Sequence, residues 1–140
     1  MSETKQSQTP TTARVKGGVV AYLTIEGALK AAEFYQRAFG AEIAAVQPPD
    51  AKGRTMHVHL YLNGGSLMLN DPFPEHGCPA QQPQGFALML TVRSIDDWWK
   101  RAVDAGAAIV MPVQEMFWGD RYGQLRDPFG VAWALDEPKH

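Results

Sequence analysis

The chain carries a single cysteine, Cys78, so no disulfide can close within it. A reducing, cytoplasmic setting suits that usage. No apolar run approaches the roughly 18 residues that a membrane span requires. The first residues also lack the apolar stretch of a secretory signal. A large excess of either charge is absent too. The net charge is −2 and no basic stripe is present, so no nucleic-acid surface is expected. What is present is ordinary for a globular domain: 45% apolar and 20% charged residues over 140 positions, long enough for a real core. Cys78 stands among Pro74, Gly77 and Pro79 and reads as a loop thiol.

The informative feature is internal repetition. Leu23-Thr24-Ile25, a helical stretch and Gly40-Ala41-Glu42-Ile43 are answered by Leu90-Thr91-Val92, a second helical stretch and Gly106-Ala107-Ala108-Ile109. A repeat of this length, with strand and helix in the same order, indicates a duplicated α+β unit.

Residues 1–17 are polar and aperiodic and read as a flexible tail. Residues 18–71 form the first module. Val19 to Ile25 reads as a buried strand, and Leu29, Ala32, Phe34, Tyr35, Ala38 and Phe39 recur at helical spacing up to the terminating Gly40. Strands follow at Ala41 to Gln47 and Thr55 to Leu62, and Asn63-Gly64 turns the chain into Ser66 to Asn70. Residues 72–85 hold four prolines and read as a linker. In the second module, residues 86–137, Phe86 to Val92 is a strand. Ser94 with Asp97 resembles a capping box opening the second helix. Strands are expected at Ile109 to Val113, Arg121 to Arg126 and Val131 to Leu135, with Asp127-Pro128-Phe129-Gly130 as a tight turn. The fold class is therefore α+β, two tandem βαβββ modules.

Three stretches, FYQRAFGAE (34–42), MHVHLYLNGGSLMLND (56–71) and FWGDRYGQLRDPFG (117–130), make the chain resemble the vicinal oxygen chelate superfamily. This group includes glyoxalases, extradiol dioxygenases and bleomycin-resistance proteins; the likeness is strongest to its PhnB-like branch. The resemblance implies that each module curls into a half-barrel around a cup. In the superfamily's metal enzymes, ligands lie on the first and fourth strands of each module. The matching positions here are Val20, Met68, Ala87 and Ala134. A divalent metal requires N, O or thiolate donors, so no metal cofactor is expected at them. Val131 stands where many members of the branch carry a polar residue after the DPFG turn.

Alternation along strands sorts the remaining side chains. Met56, Val58, Leu60 and Leu62 form an apolar face; His57, His59 and Tyr61 form the opposite one. Tyr22, Thr24, Ser66, Met68, Asn70 and Met89 should face inward with them. The alternative for the two histidines is a solvent-facing or purely structural place. They could also share a metal, but only with a third ligand such as Asp71, His76 or Glu115. Phe117, Trp118 and Tyr122 could form an aromatic lip with Arg121 as an anion fork; otherwise the aromatics plug the barrel end and Arg121 pairs with Asp120. One of Trp98 and Trp99 should be core, and Trp133 should back onto a helix. The expected function is metal-free binding of a small molecule, of the drug-sequestering kind, by a homodimer with no nucleic-acid or membrane partner. The alternative is an enzyme of the lyase or dioxygenase type, or one using His57 or His59 as a base without a metal.

Overall fold

The computed structural model describes residues 9–139, which divide into two compact units. The first holds the described residues up to Ala32 together with Ala41–Ala80; the second holds Glu33–Gly40 and everything from Gln81 on. The compact units therefore do not coincide with the sequence repeat, because the last seven residues of the first helix, and Gly40 after it, group with the second sheet. Residues 1–8 of the expected tail lie outside the described residues.

In the first unit the elements are β1 (Ala21–Thr24), the opening turns of α1 (Ala28–Phe39), β2 (Glu42–Val46), β3 (Val58–Leu62) and β4 (Gly65–Asn70). They build a sheet of order β1-β4-β3-β2 in which β1 runs parallel to β4 and the other neighbours are antiparallel. The β3–β4 hairpin turns on Asn63 and Gly64, both with positive φ (51° and 84°), as a two-residue turn matched to strand twist requires. Val58, Leu60, Leu62, Leu67 and Leu69 are buried on one side, and Ala28, Ala31 and Ala32 of α1 are buried too. Met56 departs from the expected apolar face. It precedes β3 and is 56% exposed. The proline-rich stretch is more ordered than a linker: Phe73 and Cys78 exchange backbone hydrogen bonds around a 3-10 turn at Pro74–His76.

The second unit repeats the plan with β5 (Leu88–Thr91), α2 (Ile95–Ala105), β6 (Ala108–Glu115), β7 (Arg121–Arg126) and β8 (Ala132–Glu137), in order β5-β8-β7-β6. The α+β class and the tandem βαβββ order are as the repeat implied. Trp133 on β8 is fully buried against the C-terminal half of α1, its ring 4.6 Å from Phe39 and 5.2 Å from Tyr35. Arg101 of α2 caps that helix end, donating to the carbonyls of Arg37 and Gln36. Neither Trp98 nor Trp99 is fully buried; Ile95 and Ala102 are the fully buried residues of α2. Trp99 instead lies over Gly123, where an added Cβ would come within 2.6 Å of its ring. The capping-box reading of Ser94 is not realised. Its backbone is left-handed and its hydroxyl makes no cap, whereas Glu137 accepts the first helical N–H, from Ile95. A carboxylate at a helix N-terminus fills the same need from outside the helix.

Candidate functional site

The polar face of the first sheet follows from strand alternation and register. Because β3 buries Val58, Leu60 and Leu62, His59 and Tyr61 must point the other way. Pairing places His59 opposite Met68, Tyr61 opposite Ser66, Tyr22 opposite Met68 and Thr24 opposite Asn70. Six residues expected on one face (Tyr22, His57, His59, Tyr61, Met68 and Asn70) are thus brought together, and Thr24 and Ser66 join them.

Hydroxyls partner both histidines. The Tyr22 hydroxyl lies 2.7 Å from Nδ1 of His57 and 3.2 Å from the Met56 carbonyl, either of which can accept its one proton. Nε2 of His59 lies 2.7 Å from Oγ of Ser66, which accepts the Lys16 N–H. The two imidazoles are 6.3 Å apart, and the Tyr61 ring meets His59 edge-on at 5.0 Å. His59 is 1% exposed while Tyr22 is half open, so the face grades from closed to accessible. At its far end Thr24 donates to Asn70 at 2.8 Å, and both approach Sγ of Cys78, at 3.6 and 4.0 Å. From sequence Cys78 reads as a loop thiol. The Phe73–Cys78 closure is what carries the thiol back to this face, and proline spacing gives no sign of that. Burial, and secondarily Cys78, hold the Tyr22 hydroxyl above the usual phenol range.

Burial, reinforced by His57, holds His59 below the ordinary imidazole value. The folded state thus binds this proton less readily than the unfolded chain. Its contribution to stability is complete above the unfolded value near 6.5 and declines as pH falls below it. In His59→Gln, part of the acid-induced loss of stability between pH 7 and 5 should disappear, as chemical denaturation at a series of pH values would reveal. An unchanged pH slope would mean that the ring titrates as if unfolded.

The second sheet carries its own open face. Met89, opposite Ala134, is 56% exposed, and Trp118 is 48% exposed with its ring 4.8 Å from Phe117 and 6.1 Å from Tyr122. Arg121 is directed elsewhere. It pairs in register with Glu137 and grips Asp96 of α2 through both terminal nitrogens, at 3.0 and 3.1 Å, so neither the anion fork nor an Asp120 partnership describes it. Sequence reasoning missed Asp136, opposite Tyr122 and Thr91 in register and 7% exposed. Burial and the neighbouring Asp120 carboxyl hold Asp136 above the ordinary carboxylate range. Strand alternation from Ala134 would have placed Asp136 on this face.

Among the described residues, the side chains of these faces do not form a donor set for a divalent metal. The positions that the resemblance implied as metal corners are Val20, just before β1, Met68 on β4, Ala87, just before β5, and Ala134 on β8; none of these side chains offers nitrogen, oxygen or thiolate. Asp71, once a possible third ligand for the histidines, has its oxygens occupied by the N–H groups of Gly27, Ala28 and Thr55. Among the described residues no three His, Cys, Asp or Glu side chains group so as to hold a metal ion.

Residues 20–135 match the model of the Glyoxalase/Bleomycin resistance protein/Dioxygenase superfamily, and the chain belongs to that superfamily. Uncharacterized protein Mb0911c of Mycobacterium bovis is 38% identical over 124 residues, covering 84% of this chain and 80% of the relative. TnmS3, an antibiotic binding protein from a Streptomyces species, superposes with a TM-score of 0.66 at 25% identity, covering 91% of this chain and 97% of its own. The PhnB protein from Bacillus cereus shares the fold at a TM-score of 0.67 and 23% identity, over 87% of this chain and all of its own. Among the described residues no helix is long and apolar enough to cross a membrane.

Proposed function

We propose that this protein binds a small aromatic or planar organic molecule stoichiometrically, without a metal ion, on the polar face of its first sheet. The observation that carries the reading is the composition of that face. Tyr22, His57, Met68 and Asn70 offer ring, thioether and hydrogen-bonding surface at partial exposure. Such a mixture is how small-molecule sites are generally lined. The superfamily's metal corners meanwhile provide no donor atom. The likeness to an antibiotic binding protein supports the same reading. A homodimer fits it, since Met89, Ile109 and Val110 of the second unit stay more than half exposed and a second copy would cover them. A cytoplasmic place of action accords with the lone thiol.

The test is metal analysis of untagged protein, calorimetric titration with Zn²⁺, Ni²⁺, Mn²⁺ and Fe²⁺, and then a screen of aromatic antibiotics by tryptophan fluorescence. The expected outcome is sub-stoichiometric metal, no heat from the ions, and saturable quenching by at least one compound that is recovered unchanged. One tightly bound metal per chain, or chemical turnover of the compound, would overturn it. A second reading rests on the 2.7 Å Tyr22–His57 contact. An imidazole positioned by a phenol can serve as a general base, and turnover that His57→Ala abolishes would favour an enzyme.

A further inference from the structure

Residues 10–16 were expected to belong to a loose tail, yet they are fastened across the first sheet. The Val46 N–H donates to the Pro10 carbonyl, and the Gln47 side-chain amide donates to that of Thr11. The Tyr61 hydroxyl donates to the Arg14 carbonyl at 2.6 Å. Lys16 then donates its N–H to Oγ of Ser66 and accepts the Ser66 N–H, while its ammonium stands 4.0 Å above the Tyr61 ring. These attachments run from β4 over Tyr61 of β3 to the β2 edge. Tyr61 and Ser66 share the face that carries His59, so the segment passes over the closed end of that face.

The fastening is of an unusual kind. No side chain of residues 10–16 is buried: Val15 is 51% exposed, Ala13 is half-buried and the others are exposed. The strap is held by hydrogen bonds and one cation–ring contact, without apolar burial. Such hydrogen bonds contribute only modestly in net terms because water competes for the same groups. Ordering each strap residue opposes them. Segments of this composition open at the low end of a protein's local stability range. The groups they release, the Tyr61 hydroxyl and Ser66 Oγ beside Nε2 of His59, are those that a polar ligand atom would need.

We propose that the N-terminal strap is a displaceable cover that regulates access to the His59 end of the ligand face, so that a ligand binds there by evicting Arg14 and Lys16. This rests on the reading that the first sheet's polar face is the binding site. Eviction opposes binding, and weakening the strap should therefore tighten it.

The full-length chain, full-length Lys16→Pro (which removes the N–H donated to Ser66) and a chain lacking residues 1–17 would be compared. In the full-length protein the Val46 and Ser66 amides, which donate to strap carbonyls, should exchange at least tenfold faster than those of central β3. In both variants the His59 ring should titrate closer to a free imidazole by NMR. 8-Anilinonaphthalene-1-sulfonate, or an aromatic compound from the fluorescence screen, should bind about tenfold more tightly. Val46 and Ser66 amides protected as well as Leu60, or a His59 titration identical in all three proteins, would overturn the cover. Should the truncated chain fail to fold, the proline variant carries the test. A compound that binds all three equally would refute the cover and leave the binding function standing. Exposure of His59 without binding of any compound would uphold the cover and refute the binding function.

Discussion

Asp127→Ala should cost about 4 kcal/mol of folding stability or more, at the upper end of what single substitutions do. The carboxylate is 4% exposed and receives four donors. Oδ1 accepts from the N–H groups of Phe129 and Val131 at 2.9 and 3.0 Å, closing the turn before β8. Oδ2 accepts from Nε1 of Trp133 at 2.9 Å and from the Tyr35 hydroxyl at 2.5 Å. Each donor left buried and unpaired costs about 1–3 kcal/mol, and relaxation of the turn will recover only some of that. Tyr35 depends on the same atom: burial first, and the Asp127 charge second, push its hydroxyl well above the usual phenol range, so it remains a donor at any workable pH. Tyr35→Phe removes one donor together with its need and should cost only about 1–2 kcal/mol. A double-mutant cycle read by urea denaturation would give their coupling. Asp127→Ala within about 1 kcal/mol of the parent protein would refute this account.

Asp71→Ala is expected to be next in severity, at about 3 kcal/mol by the same reasoning over three donors. Its Oδ1 accepts from Gly27 and Ala28 at the start of α1, and its Oδ2 from the Thr55 N–H, in a site 4% exposed. The corresponding residue of the second repeat is Glu137. The carbonyl before each accepts the equivalent bond, that of Asn70 from the Ile25 N–H and that of Asp136 from the Val92 N–H. Glu137, however, receives a single N–H and is half-buried, so Glu137→Ala should cost about 1 kcal/mol, the ordinary worth of a helix cap. Thermal unfolding of the two variants side by side would check the asymmetry; equal losses would mean that the repeats use these carboxylates alike.

The strand and helix order was legible because period and punctuation are local properties. Asn63-Gly64 announces its hairpin, and alternation from Val58 to Leu62 fixes which way His59 and Tyr61 point. Positions that depended on distant partners were not legible. Ser94 has the residue type of a cap, yet Glu137, far along the chain, performs the task. Arg121 stands next to Asp120 in sequence but answers Asp96 across the β7–α2 packing. Strap residues 10–16 carry no hydrophobic periodicity, because their attachments run through backbone carbonyls and N–H groups that every sequence possesses.

The seven α1 residues from Glu33 to Phe39 that group with the second sheet separate ancestry from independence. The repeat implies that an ancestral single module was once copied, but the present halves are not interchangeable pieces. A fragment beginning at Gln81 would carry every strand of its sheet, yet it would lack the phenol that Asp127 accepts from and the rings that enclose Trp133. Duplication here ended in dependence, one helix written in the first copy and needed by the second.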